Sequence, residues 1–374
     1  MDIVFLAWAF VAFLNIGLMA IYFLYIRRKA LKGEYNLKTD ETYRPNATLL
    51  IPTYNEERVI RRKLENVSMV NYPKNKLEVI VIDSASADNT ASIVKDFAES
   101  NPQLNLRIIQ EQQRKGKARA LNYGLEHVNG EVIVISDAEC QWPPNALKNT
   151  VKYLADPSVG AVTGIHIISN AKQTEATQME QTYRSVTRIL RVGESKLYST
   201  PIFEGELAAF KRSCLERFDE DVGADDIDAA LSVINRGYRA IAVSDAEFYE
   251  PTPFSWREKF RQKIRRGQHV IQAFVKNRKM LFQKPTPFHK IIFPMEMYLY
   301  VLNPLIFIVF IVLSFLIVLR YPYIILLAAT MLIPQVRKAT IAHIVNNFIM
   351  IKALLNEASR KKQLVWEKIR ETRI

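Results

Sequence analysis

The sequence predicts an α/β domain on a largely parallel sheet covered on both faces, joined to apolar helices that seek a membrane. Three observations carry this. Between residues 47 and 139, short and nearly unbroken Val/Ile/Leu runs alternate with helical patterns. Strands buried on both faces read as continuous apolar runs, and alternation with helices implies parallel crossovers. Acidic and polar residues follow each run at once, at the strand ends where open α/β sheets bind ligands. Uncharged apolar stretches at 3–26 and 298–319 flank the domain, long enough to cross a hydrocarbon core of about 20 residues.

Taken in order, residues 1–29 read as a retained transmembrane anchor. The positive cluster Arg27, Arg28, Lys29 and Lys32 follows the apolar run instead of preceding it, unlike a signal peptide. The positive-inside rule then places the next domain in the cytoplasm of a multi-pass cell-membrane protein. Residues 30–45 are a polar linker. From 46 to 250 the pattern is α/β: strands in ATLLIPTYNE, LEVIVIDSAS, LNLRIIQ and EVIVISDAE, with helices at 56–69, 88–99 and 117–128 between them. Further strand signals lie in SVGAVTGIHII and YRAIAVSDAEFYE, and helices are expected at 174–192 and 225–236.

Residues 251–297 hold amphipathic interfacial helices. In FSWREKFRQKIRRGQHVIQAFVKNRK, helical spacing puts Trp256, Phe260, Ile264, Ile271 and Phe274 on one stripe, flanked by Arg257, Arg261, Arg265 and Lys276. That suits the headgroup region of an anionic membrane, and it equally suits a basic helix packed on its own protein. A transmembrane hairpin is expected over 298–338, turning at 320–322 with a short second arm at 323–336, giving about three membrane helices in all. Residues 339–374 read as interfacial or membrane-associated helices, with 339–351 in the interface and a basic tail helix after it.

The net charge of +13 on 374 residues would ordinarily suggest nucleic acid. Here the excess borders apolar segments, at 27–32, in the 254–279 stretch and at Arg360, Lys361 and Lys362, and no aromatic platform for bases is evident. The partner this favours is an anionic membrane surface. Two cysteines, Cys140 and Cys214, make neither a disulfide framework nor a metal cluster.

Candidate chemistry lies in carboxylates. Asp83 ends one apolar run. Asp137 and Glu139 end another, spaced to share one divalent ion with the oxygens of a diphosphate; oxygen ligands suit Mg2+ or Mn2+. Asp225 and Asp226 open a helix, where one carboxylate can be held while the other accepts a proton. Singly, Asp83 and Asp137 also fit plain turn residues, and Asp225 or Asp226 a helix cap. The combination is sharper, because an acidic diphosphate-bearing donor also needs positive counterparts, which Lys115, Lys117, Arg119, Arg265 and Arg266 supply. No Cys–His or Ser–His nucleophile pairing is evident, and His127, His166, His269, His289 and His343 read as structural or surface residues.

At these residues the chain resembles the family 2 glycosyltransferases, above all the membrane-integrated inverting enzymes that include cellulose, chitin, hyaluronan and mannan synthases. The resemblance covers residues 46–270 with motifs in the family's order and implies a GT-A fold. IPTYNEE, with Pro52, Tyr54 and Glu56, matches the opening strand and nucleotide loop. Asp83 matches the aspartate that faces the base. Asp137-Ala138-Glu139 matches the Asp-x-Asp metal and diphosphate site. Ala224-Asp225-Asp226 matches the base motif, making Asp226 the expected general base. Gln262-Lys263-Ile264-Arg265-Arg266 matches Gln-x-x-Arg-Trp, which holds the leaving diphosphate. Glu204, Gly205 and Glu206 fall in the acceptor-binding segment. Three departures stand out: Glu139 for the second Asp, Asp225 for Glu, and Arg266 for the Trp beside the acceptor sugar.

The resemblance implies a metal-dependent hexosyltransferase that uses a UDP- or GDP-sugar and extends a β-linked polysaccharide at the membrane by single displacement. A one-sugar transfer to polyprenyl phosphate or a lipid-linked glycan is the alternative acceptor chemistry. A non-catalytic scaffold that keeps the nucleotide-sugar fold is the alternative from another class, and the retained carboxylates argue against it. With few helices to form a channel, polymer export would call for a homo-oligomer or a surface product.

Overall fold

Seven strands form one sheet in the order β3-β2-β1-β4-β6-β5-β7 in the computed structural model. The structure describes residues 2–221, 223, 225–283, 285–359 and 369–373. The strands are β1 (Ala47–Thr53), β2 (Leu77–Asp83), β3 (Asn105–Gln110), β4 (Val132–Ile135), β5 (Val159–Ile168), β6 (Ala208–Lys211) and β7 (Arg239–Glu250). β1 to β4 are mutually parallel, as the apolar runs predict. The sheet is nevertheless mixed. β6, which the sequence reading did not distinguish, runs antiparallel between β4 and β5.

Alternate strand residues feed two cores. Leu49, Ile51, Val79, Val81, Val132 and Val134 pack on one face. Leu50, Ile80, Ile82, Ile133 and Ile135 pack on the other with Ala120, Leu121 and Phe274. This two-sided burial explains why the strands show no polar alternation.

The helices that matter here are α1 (Ile3–Lys32, carrying a π turn at Phe13–Gly17), α2 (Ile60–Ser68), α3 (Thr90–Ser100), α4 (Lys117–Leu125), α5 (Ala146–Val151), α6 (Glu175–Leu197), α7 (Asp225–Asn235), α8 (Trp256–Lys276), α9 (Phe288–Arg320, with π turns) and α10 (Pro334–Ala358). By length and composition α1, α9 and α10 can each cross a membrane. The hairpin expected over 298–338 takes a different form. Its second arm is a 3-10 helix, Pro322–Leu332, and the third long apolar helix is α10, which absorbs 339–351. Pro334 decides this: proline needs no partner for a missing N–H at a helix start but ends what precedes it. The Arg360–Lys362 cluster and most of the tail helix expected beyond it lie outside the described residues.

The three long helices share polar contacts. Trp8 Nε1 donates to Ser314 Oγ at 3.0 Å, and Asn15 Nδ2 donates to Asn303 Oδ1 at 3.0 Å. His343 Nε2 lies 2.8 Å from Asn15 Oδ1. Interhelical hydrogen bonds of this kind fix packing where apolar contact with lipid gives no preference. At its far end α1 docks on the α/β domain through Tyr22 Oη, which donates to Glu194 Oε1 at 2.8 Å.

α8 packs on the protein along part of its length. Its second half is buried through Val270, Ile271, Ala273 and Phe274, and Gly267 lets Met350 and Ala353 of α10 approach. Its first half keeps Trp256 43% and Phe260 37% exposed.

Candidate active site

Strand register gathers the singled-out residues on one edge. β1 and β2 pair from Ala47↔Leu77 to Thr53↔Asp83, and β1 pairs with β4 up to Leu50↔Ile135. Asp83, the loop at 54–56 and the loop at 136–139 therefore open side by side, where the strand order changes direction. Because β6 is antiparallel, with Ile135 opposite Ala208, its amino end faces that same edge. The segment Glu204, Gly205 and Glu206 arrives beside Asp137 for this reason.

Lys117, the first residue of α4, ties the carboxylates together. Its Nζ lies 2.7 Å from Asp137 Oδ1 and 3.7 Å from Asp225 Oδ2. Burial works against its charge, but Asp137, Asp225, Asp226 and Glu206 outweigh that and hold it well above the usual lysine range. Asp226 Oδ2 accepts the Gly205 N–H at 3.1 Å, and Oδ1 accepts the Ile227 N–H at 2.8 Å. A Cβ on Gly205 would stand 3.1 Å from Lys117 Nζ and 3.5 Å from Asp226 Oδ2, so a glycine keeps this approach open.

So many carboxylates in one cleft disfavour full ionisation. Burial, then Asp225, push Asp226 up to about 8. Burial, then Glu204 and Asp137, push Glu206 up to about 7. Asp225 and Glu139 are raised as well, chiefly by burial. A carboxylate with a pKa near neutrality suits a general base.

Basic residues from two helices face this cluster. Arg184 Nη1 pairs with Glu204 Oε1 at 2.6 Å, and Arg266 Nη2 lies 3.7 Å from Glu206 Oε1. Burial and Arg266 lower Arg265 to about 10, against the pull of Glu139 and Asp137. Gln262, half-buried, sits one turn earlier on α8. On the β1 side, Pro52 is in the strand itself, and the Tyr54 ring lies 3.8 Å beneath the Arg114 guanidinium. Asp83 Oδ2 accepts from Gln110 Nε2 at 3.3 Å. Its Oδ1 is buried with no hydrogen-bond partner among the described residues. Ala224 lies outside them.

Three residues of this edge escaped the sequence reading. Lys63 of α2 is fully buried, with Nζ donating to Ser136 Oγ at 2.7 Å and to the Cys140 carbonyl at 2.9 Å. It staples both ends of the loop that carries Asp137 and Glu139. Glu250 ends β7, where burial and then Glu206 and Glu139 raise it well above the carboxylate range; its Oε2 is 3.5 Å from His166 Nε2. Arg373 reaches Glu56 and Glu139 from the other end of the sequence. A lone lysine in a helical pattern gave no signal, while an acidic strand end at FYE did.

Among the described residues no cluster of three or more His, Cys, Asp or Glu is arranged to hold a metal unaided. Asp137 and Glu139 nevertheless fit Mg2+ or Mn2+, because two hard oxygens leave positions for diphosphate oxygens and water, the usual manner of binding.

The model for "Glycosyl transferase family 2" matches residues 48–218. The mannosyltransferase PcManGT from Pyrobaculum calidifontis, solved in complex with GDP-Man and Mn2+, is 38% identical with a TM-score of 0.78. That likeness covers 94% of this chain and 100% of that one. The chain belongs to glycosyl transferase family 2.

Curated relatives of this family 2 chain include the probable glycosyltransferase YdaM of Bacillus subtilis, 32% identical over 244 residues, covering 62% of this chain and 57% of the relative. The poly-beta-1,6-N-acetyl-D-glucosamine synthase of Staphylococcus epidermidis is 26% identical over 239 residues, covering 63% of this chain and 56% of the relative. The chain spans a little over half the length of these curated relatives. The α/β nucleotide-sugar transferase fold expected of the family is the fold observed.

Proposed function

We propose that this chain is a membrane-bound inverting hexosyltransferase that takes its sugar, mannose by preference, from a guanosine diphosphate sugar. The observation that carries the reaction is the Asp226 carboxylate. It is held by the Gly205 N–H and raised to about 8 by burial and then by Asp225, against the pull of Lys117. Asp226 removes the proton from an acceptor hydroxyl, which attacks the anomeric carbon opposite the nucleotide. Lys117, Arg265 and Arg266 stand where negative charge grows on the leaving diphosphate, a positioning and electrostatic role. A divalent ion on Asp137 and Glu139 would add charge neutralisation there when bound.

Asp83 offers its unpartnered oxygen to ring N–H donors of the base. Guanosine is favoured over uridine by the likeness to PcManGT, solved with GDP-Man, over nearly the whole chain. The acceptor side consists of Glu204 and Glu206, with Arg266 of α8 3.7 Å from Glu206; the same helix keeps Trp256 and Phe260 exposed at its start, which supports an acceptor presented at the membrane surface. We take a lipid-linked glycan or polyprenyl phosphate as that acceptor, since Arg266 replaces the tryptophan expected beside an extending chain. Polysaccharide elongation is the second reading, favoured by the likeness to the poly-N-acetylglucosamine synthase. The basic residues after α1 favour a cytoplasmic catalytic domain.

A radiolabelled screen of GDP-mannose, UDP-glucose and UDP-N-acetylglucosamine with Mn2+ or Mg2+ tests this on detergent-purified protein. Products are resolved by size and by organic extractability, with Asp226→Asn as control. One extractable mannolipid is the expected result, and a ladder of polymer establishes the second reading. Transfer undiminished in Asp226→Asn removes the mechanism.

A further inference from the structure

Residues 369–373 return to the catalytic edge and enter it. Arg373 is only 8% exposed. Its Nε donates to Glu56 Oε2 at 2.9 Å and its Nη2 to Glu56 Oε1 at 3.1 Å, a two-pronged fork. Its Nη1 pairs with Glu139 Oε2 and donates to Thr372 Oγ1 at 2.8 Å. Two residues back, Glu371 accepts the N–H groups of Phe254 and Ser255 at 2.9 and 3.0 Å. Those amides open α8, where a carboxylate is favoured by the helix terminus. The segment is thus held at two points, one at the rim and one inside.

The chemistry at the inner point is that of a cation site. Glu56 and Glu139 are both buried, and two carboxylates facing one another out of water require a counter-charge. A guanidinium that spans both supplies it in the strongest geometry available to a side chain. Asp137 is likewise matched by Lys117. Both carboxylates read above as the metal ligands are therefore already neutralised by the chain's own cations.

Resting on that reading of Asp137 and Glu139, we propose that Arg373 is the resident cation of the donor site, exchanged for the divalent ion when metal and nucleotide enter. The charge balance is simple: a guanidinium leaves Glu139, and a divalent cation arrives with a diphosphate that supplies its remaining oxygen ligands. A metal ion alone must expel Arg373 without that help, so it binds poorly. The idle enzyme thereby keeps its acidic cleft neutral without a bound metal.

The test is Mn2+ binding to the detergent-purified full chain, followed by loss of the free-ion electron paramagnetic resonance signal, without nucleotide and with GDP. If the segment fills the cleft about nine-tenths of the time, its loss tightens apparent affinity about tenfold. Arg373→Ala is therefore expected to bind Mn2+ alone at least about tenfold more tightly than the natural chain, with a smaller difference once GDP is present. Glu371→Ala, which frees the outer point without touching the cleft, shifts affinity the same way by a smaller factor. Lys95→Ala, exposed on α3, leaves it unchanged. Equal or weaker binding of Mn2+ by Arg373→Ala, or binding by neither protein, overturns the proposal. Sugar transfer by these proteins is scored separately against Asp226→Asn. Loss of transfer in that variant with no Arg373 effect sinks only the exchange, and a tightened Mn2+ site with transfer indifferent to Asp226 sinks only the mechanism.

Discussion

If Asp226 is the base, the acid limb of the pH–rate profile is set by the cleft. Burial and Asp225 raise its pKa from 3.8 to about 8. A base with that value is ionised in about one molecule in ten at pH 7 and about one in a hundred at pH 6. The free enzyme's kcat/KM should thus climb about tenfold per pH unit up to about pH 8 and level off above it. Glu206, raised to about 7, stands among the causes of the Asp226 shift. Asp225, Glu206 and Glu204 all act on Asp226, so the observed midpoint belongs to the cluster. Glu206→Gln removes one like charge, and the midpoint should move down toward the ordinary carboxylate range even if the rate falls. Asp226→Asn keeps the shape and one accepting oxygen but cannot take a proton, and should cost about 10²–10⁴ in rate with no acid limb left. Initial rates with labelled donor from pH 5.5 to 9 measure all three. A flat profile between pH 6 and 8, or an Asp226→Asn enzyme within tenfold of the natural one, refutes the assignment.

The same shift has a consequence for stability. A carboxylate raised on folding contributes most below its unfolded value and loses that contribution as pH rises through the folded one. Asp226→Asn should therefore melt higher than the natural chain at pH 9, with the gap closing toward pH 4, as thermal unfolding in detergent can follow. Lys63→Met should lower Mn2+ affinity in the presence of GDP by about 10–100-fold, the usual effect of losing a group that orients metal ligands. Isothermal titration reads this, and unchanged affinity would show that the loop holds its shape without the lysine. Gly193→Ala places a Cβ 2.3 Å from the Ile26 carbonyl oxygen, so α1 must shift away from α6. Its melting temperature should fall by several degrees, consistent with about 1–3 kcal/mol for overpacking, whereas a neutral result would mean the two helices are not in contact.

Much of this was legible along the chain. VIVID and VIVIS could only be doubly buried strands, because nothing in them offers a polar face. Asp83, Asp137 and Glu139 could then only stand at strand ends, and the order of the motifs gave the family. The helices read between 56 and 276 were placed within about five residues, but α5 was not read and α9 begins ten residues before the apolar run at 298–319; beyond 320, composition alone could not say that Pro334 restarts the helix.

The features legible along the chain are local: apolar runs and their ends, the acidic residues that close them, and the stripe on α8. Tertiary structure decided everything that depends on distant segments meeting. The four-residue β6 was too short to stand out, yet its antiparallel direction delivers Glu204 and Glu206 to the active edge. Lys63 reaches its loop across the sheet's covering layer, and Arg373 meets Glu56 across 317 residues. Periodicity reports the neighbours a residue has along its own element, whereas the charge a buried carboxylate requires can be answered from anywhere the fold brings close.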